Sequence, residues 1–269
     1  MNLHSDWIVP DWPAPPHVHA LCTTRQGGAS APPWDSFNLG RLVGDDPAAV
    51  RANWAALSAA MDGVRPVYLR QVHGTAVQPL DADTPDGIEA DASTTEATGV
   101  ACVAMAADCL PVLFTNTRGT RVAAAHAGWR GLAGGVLEAA LKSFGPPALD
   151  GQALAAIEKE AYGDVIAWLG PCIGPTAFEV GAEVRDAFCA HDPQAAACFA
   201  AGAAPGKFMA DLAGLARQRL RAAGVSALHG NDSSAAWCTV GHPSRFFSHR
   251  RDNAVLGSSG RFAACVWRT

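Results

Sequence analysis

Three short segments of the chain carry side chains able to hold a metal: Gln71-Val72-His73-Gly74, Ala107-Asp108-Cys109-Leu110-Pro111 and His126-Ala127-Gly128-Trp129-Arg130-Gly131. Zinc takes imidazole nitrogen and thiolate sulfur, and a catalytic zinc keeps a fourth position open for water or substrate. His73, Cys109 and His126 would supply such a set. Water held by that ion is acidified towards neutrality, so no strong protein base is needed. Spacing alone does not select this reading. The three residues stand 36 and 17 positions apart and match no compact zinc motif. A core thiol with two hydrogen-bonded loop histidines accounts for the same pattern.

Two acids lie beside these segments, Asp91 in Glu89-Ala90-Asp91-Ala92 and Asp108 next to Cys109. Either would serve as an acid–base catalyst, or would orient a ligand histidine. Taken singly, each also reads as a turn or helix-capping aspartate. Three arginines sit near glycine or helix-forming segments. Arg130 in Gly128-Trp129-Arg130-Gly131 follows an apolar strand and opens a helix, where backbone N–H groups would help it hold phosphate. A tight strand-to-helix turn explains those glycines equally well. Arg25 lies in Thr23-Thr24-Arg25-Gln26-Gly27-Gly28-Ala29-Ser30, which composition alone makes a plain loop. Arg251 in Ser248-His249-Arg250-Arg251-Asp252 is a third anion contact or part of a solvated charge run.

The same residues support rival chemistries. Cys109 as nucleophile, His126 or His73 as base and Asp91 or Asp108 as orienting acid would make a metal-independent cysteine hydrolase. His17-Val18-His19 resembles one H-x-H pair of a copper oxidase, but nine histidines in all are too few for a multicopper centre. Copper is therefore disfavoured. A non-enzymatic module binding nucleosides or peptidoglycan fragments is a third class.

The elements that position these residues follow from patterning. Val18–Thr24 reads as a strand, followed by a Gly-, Ser- and Pro-rich loop to Asn38. Asp46-Pro47 starts a helix, with Asp as N-cap and Pro in the first turn, and Val50, Trp54, Leu57 and Met61 form its buried stripe. β-rich runs fall at Val67–Leu69, Ala76–Leu80, Val100–Met105, Leu110–Thr115 and Val122–Ala125. A helix is predicted over Leu132–Lys142, stopped by Gly145-Pro146-Pro147. Val165–Leu169 is a strand, Gly181–Ala190 and Leu212–Ala222 are helices, and Phe262–Trp267 is a closing strand. Strands and helices mixed without regular alternation favour an α+β fold over a doubly wound sheet.

The chain has 269 residues, 49% of them hydrophobic and 17% charged, which suits a well-buried globular protein rather than disorder. A net charge of −5 gives no basic field for nucleic acid or anionic membrane. The acidic, proline-containing N-terminus lacks the pattern of a secretory signal, and the longest apolar run is too short to span a bilayer. Eight cysteines without a C-x-x-C pair read as reduced hydrophobes, so the expected compartment is the cytoplasm.

Many short motifs in order make the chain resemble the YfiH-type laccase-domain family. They include TTRQGGASAPP with NLG, VGDDPAAVRAN, LRQVHG, EADAS, AADCLPVLF, AAAHAGWRG, LGPCIGPTAFEV, Asp211-Leu212 and FFSHRRD, and they span nearly the whole chain as one catalytic domain, residues 1–269. The resemblance implies that His73, Cys109 and His126 hold one zinc ion. It implies a layered α/β/β/α arrangement with two mixed sheets between helices. It also implies phosphorolysis of adenosine, inosine, guanosine or methylthioadenosine, with adenosine deamination as a second activity. Two positions depart from the family pattern: Phe178 replaces a tyrosine before Glu179-Val180, and Trp54 replaces an arginine after Asn53.

Overall fold

The computed structural model describes residues 3–145 and 162–269, so Pro146 and Pro147, expected to stop a helix, lie outside the described residues. Two mixed sheets form the body. One orders β1 (Val18–Cys22), β15 (Phe262–Arg268), β7 (Val100–Ala106) and β2 (Arg65–Pro66). The other orders β14 (Ala227–Gly230), β10 (Val165–Leu169), β8 (Leu110–Asn116), β9 (Val122–Ala127), β6 (Ala92–Thr95) and β4 (Val77–Pro79). A small sheet of β11 (Glu179–Gly181), β13 (Lys207–Ala210) and β12 (Phe199–Ala201) and a pair, β3 (Leu69–Arg70) with β5 (Ile88–Glu89), complete the strands.

The central strands are apolar throughout because both of their faces are covered. Along β7, Cys102, Ala104 and Ala106 face Leu113, Val122, Ala124 and Trp168 of the other sheet, making an inner core. The alternate residues Ala101, Val103 and Met105 face Val50, Trp54 and Leu57 of α1 (Pro47–Ala60). On the far side of the six-stranded sheet, Val112, Phe114 and Ala167 pack against Leu137 and Leu215, which belong to two outer helices. Helix, sheet, sheet and helix therefore stack in four layers, an α+β fold as the sequence predicts.

The first helix begins at the cap the sequence predicts. Asp46 accepts from Ala48 N–H at the start of α1, with Pro47 as the first residue. The helix expected over Leu132–Lys142 is instead two: α2 (Trp129–Gly134) and α3 (Val136–Lys142), divided at Gly135 with φ +97°. The left-handed glycine ends one helix and redirects the chain into the next. α4 (Ala182–His191) and α5 (Leu212–Ala222) follow the predicted spans closely. The run Ser248–Asp252, read as charge, starts a further helix, α6 (His249–Leu256). Among the described residues no helix is long and apolar enough to cross a membrane.

Candidate metal centre

Strand register brings the predicted ligands to one end of the six-stranded sheet. Pro111 of β8 pairs with His126 of β9, which places Cys109 just before β8 beside the end of β9. Ala92 of β6 pairs with Ala125 on the other flank, and His126 N–H donates to the Asp91 carbonyl at 2.7 Å. His73 arrives on the loop between β3 and β4. Gln71 anchors that loop by a two-way amide pair with the Met105 backbone, both bonds 2.8 Å.

Two non-glycine residues hold left-handed backbone here, His73 at φ +62° and Asp108 at φ +84°. Such conformations persist only where the surroundings over-determine them, and they gather at functional sites. At His73 the cause is Asp91. Its carboxylate accepts the N–H groups of Val72, His73 and Gly74 at 3.2, 2.9 and 2.7 Å, so three successive amides converge on one anion. Asp91 Oδ1 also lies 2.9 Å from His126 Nδ1. A carboxylate surrounded by donors can only accept, so Nδ1 carries the proton and His126 Nε2 is left free for a metal.

Asp108 is similarly occupied. It accepts from the Thr239 hydroxyl, from Ser248 Oγ at 3.0 Å and from Arg250 N–H at 2.6 Å, while its own carbonyl takes Ile173 N–H at 2.9 Å. It therefore ties the turn carrying Cys109 to the start of α6. Both acids expected to move protons make all these bonds to protein groups.

The three donors converge. Cys109 Sγ lies 3.6 Å from His73 Nε2, the two imidazoles meet edge-on at 4.8 Å between centroids, and all three ligand atoms fall within 4.8 Å of one another. Gly128 leaves the room: a Cβ there would stand 2.6 Å from His73 Cδ2 and 3.0 Å from Cys109 Sγ. Burial would raise the Cys109 thiol, but the charge and hydrogen bond of His126, then those of His73, bring it down to about 6. Burial would lower His126, yet Cys109 and Asp91 raise it to about 9. Two nitrogens and one thiolate, oriented from behind by a carboxylate, fit a metal ion.

The cluster opens on a cleft of about 510 Å³, walled in part by Tyr68, Met105, Ile173 and Phe178. Of the arginines predicted to hold phosphate, only Arg130 lines it, with its guanidinium 4.4 Å over the Trp129 ring. Arg25 is bound to Asp35 at 3.0 Å and to the Pro243 carbonyl at 2.9 Å, and it stacks on Phe247. Arg251 is held by Asp252 and by the Thr239 and Phe246 carbonyls. These two fix loops instead of facing the cleft. Sequence reasoning missed Arg41, Arg70 and Arg261, which do line it, and within the run Ser248–Asp252 it named Arg251 where the lining residues are Arg250 and His249. A capping signal was available at the last: Ser248 accepts from Arg251 N–H, and Asp252 accepts from Ser248 N–H, marking a helix start.

His17 and His19 have separate partners, the Gly119 carbonyl and the Thr269 hydroxyl. All eight cysteines are free. Trp54, in place of the family arginine, donates to the Leu39 carbonyl at 2.9 Å, and Phe178 sits beneath the Arg250 guanidinium.

Residues 19–269 match the family described as multi-copper polyphenol oxidoreductase laccase. Purine nucleoside phosphorylase PA4543 of Pseudomonas aeruginosa is 50% identical over 97% of this chain and 98% of its own length. Purine nucleoside phosphorylase YfiH of Escherichia coli is 46% identical over 98% of this chain and 99% of its own. The crystal structure of Neisseria meningitidis protein NMB0706 superposes with a TM-score of 0.84 at 44% identity, covering 98% of this chain and 99% of that one. By sequence and by fold, the chain belongs to the YfiH-type laccase-domain family.

Proposed function

We propose that the protein is a cytoplasmic, zinc-dependent purine nucleoside phosphorylase that cleaves adenosine, inosine, guanosine or methylthioadenosine with phosphate and also deaminates adenosine. The observation that carries this reading is the convergence of His73, Cys109 and His126 at a cleft large enough for a nucleoside, in a chain half identical to a protein named purine nucleoside phosphorylase. The donor set suits zinc, and among the described residues it is the one cluster of three metal-competent side chains. A multicopper oxidase requires several such centres, and the described residues hold one.

A zinc ion on these ligands would supply Lewis-acid polarisation to an oxygen or nitrogen brought to its open position. The chain's own residues do the rest. Asp91 keeps the His126 proton on Nδ1, and Asp108 holds Cys109 against the start of α6. Tyr68, Met105, Ile173 and Phe178 give the cleft an apolar wall for a purine. In phosphorolysis a phosphate oxygen bonds to the anomeric carbon as the bond to the purine nitrogen breaks, with the electron pair leaving on the base. Holding both reactants in line inside the cleft is the protein's main contribution.

A cysteine-hydrolase reading is favoured by one observation, the Cys109–His126–Asp91 chain with its lowered thiol. It leaves His73, beside the same sulfur, without a task. Product analysis with adenosine and phosphate, before and after chelation, separates the readings. Adenine with ribose 1-phosphate marks the phosphorylase and inosine the deaminase. Full activity in metal-free protein, or neither product at all, would overturn the proposal.

A further inference from the structure

The cleft holds five arginines, and their partners differ. Arg41 is paired with Asp86 at 2.6 Å and lies over the Tyr68 ring, and Arg70 is paired with Glu89. Arg250 donates to the carbonyls of Ala177 and Glu179. Arg130 stacks on Trp129 at the exposed rim. Arg261 differs in being the half-buried one of the five, the other four being exposed. Its Nη1 donates to the Ser259 and Gly260 carbonyls at 2.6 and 3.1 Å, while Nε and Nη2 have no partner among the described residues.

The fold fixes this guanidinium beside the metal ligands. Phe262 at the start of β15 pairs with Ala106 at the end of β7, so Arg261 arrives next to the turn that carries Asp108 and Cys109. Its backbone N–H donates to Asn38 Oδ1 at 2.8 Å, and its carbonyl takes Leu39 N–H at 2.9 Å. Its stem lies on Gly40, where a Cβ would meet Arg261 Cγ at 3.0 Å. Burial lowers the guanidinium from its ordinary value, and the charges of Cys109 and Asp108 act on it in the opposite direction. His249, also in the cleft, has no side-chain hydrogen bond among the described residues and feels Arg261, Asp108 and Arg250 in turn.

The start of α6 is not itself free for an anion, because Asp108 already accepts from Ser248 Oγ and Arg250 N–H there. With a divalent ion on one thiolate and two neutral imidazoles, the ligand set itself would carry net positive charge, while Asp91 and Asp108 are already engaged by protein donors. We propose that Arg261, with His249 as a flanking imidazole donor, forms the subsite for inorganic phosphate in this cleft. The assignment rests on the phosphorylase reading for its choice of anion. A preorganised guanidinium with two parallel N–H groups left over matches two oxygens of a phosphate.

The test uses metal-loaded protein and inorganic phosphate. Substitution Arg261→Gln should raise the phosphate KM by about 10- to 100-fold, the worth of one charge-assisted hydrogen bond, and Arg261→Lys should recover part of it. Phosphate should raise the thermal midpoint of the wild type and broaden its 31P signal, and both effects should vanish in R261Q. Metal stoichiometry and the midpoint without phosphate check that the variant folds. An unchanged phosphate KM and an unchanged 31P response in R261Q overturn the subsite, as does a KM that rises in R130Q alone. Arg261-dependent phosphate binding without any phosphorolysis supports the subsite and sinks the phosphorylase reading instead.

Discussion

Asp91 Oδ1 stands 2.9 Å from His126 Nδ1 and 2.9 Å from the His73 backbone nitrogen, so one buried carboxylate sets two of the three candidate metal ligands. It fixes the tautomer of one and the left-handed backbone of the other. Burial alone would raise this carboxyl, but the His126 and Gly74 hydrogen bonds hold it below the ordinary carboxylate value. The acid is thus kept ionised by the groups it positions.

Replacing Asp91 by Asn should therefore act through the metal. The amide would present N–H to at least one backbone N–H, and His126 would lose its charged acceptor. Metal affinity, measured by competition with a chromogenic chelator, is expected to fall about 10- to 100-fold. Unchanged affinity would mean that the carboxylate does not orient the ligands.

Cys109 should stand apart from the other thiols. With its value near 6 it is a thiolate at neutral pH. Burial pushes Cys22, Cys172 and Cys265 up, and Cys102 up to about 12. Iodoacetamide on metal-free protein should alkylate Cys109 first, with a rate that rises through about pH 6, and zinc should protect it. Labelling spread over several cysteines, or an inflection near 9, would contradict the site's electrostatics.

Metal binding should also release a proton. Above about pH 6 Cys109 is already ionised, whereas below about pH 9 His126 is still protonated. Binding requires a thiolate and a neutral imidazole, so His126 gives up its proton within that window. Affinity should rise about tenfold per pH unit there and level off above it. Calorimetry at pH 7.5 in buffers of different ionisation enthalpy is expected to count about one proton. A count near zero would overturn the thiolate–imidazolium pair.

Much of this was legible in the sequence, for reasons that differ by element. α1 and α5 announce themselves through Asp46-Pro47 and Asp211 caps before periodic apolar faces, so their spans follow from local chemistry. The strands with both faces buried read as continuous apolar runs. The break at Gly135 was hidden because Leu132, Val136 and Leu137 keep helical spacing across it. The role of Arg261 was hidden for another reason. It depends on β15 pairing with β7 more than 150 positions earlier in the chain, and no local pattern encodes that register. For Arg25 and Arg251 too, no local pattern tells that their guanidinium groups are bonded to protein groups away from the cleft.

Asp108 should matter more for holding the site together than for proton transfer. It links the Cys109 turn to Thr239, Ser248 and Arg250 across three segments. Asp108→Asn should cost about 2 kcal/mol, from weakened charge-assisted bonds, and lower the thermal midpoint by about 5 °C. Calorimetric scans of metal-loaded protein would check this. An unshifted midpoint with lost activity would restore Asp108 as a proton carrier.

Gly128→Ala isolates the metal from the fold. Gly128 caps α2 with φ −65° and ψ 158°, a conformation alanine adopts without strain, so the backbone should tolerate the change. The new methyl would nevertheless stand 2.6 Å from His73 Cδ2 and 3.0 Å from Cys109 Sγ. His73 is exposed on its loop and can swing aside, whereas His126 is held by strand pairing and Cys109 directly precedes the paired Leu110. The variant should therefore fold with native circular dichroism but hold at least tenfold less zinc, and lose turnover in proportion. Full zinc occupancy in G128A would show that the metal, if any, is not held between these three side chains.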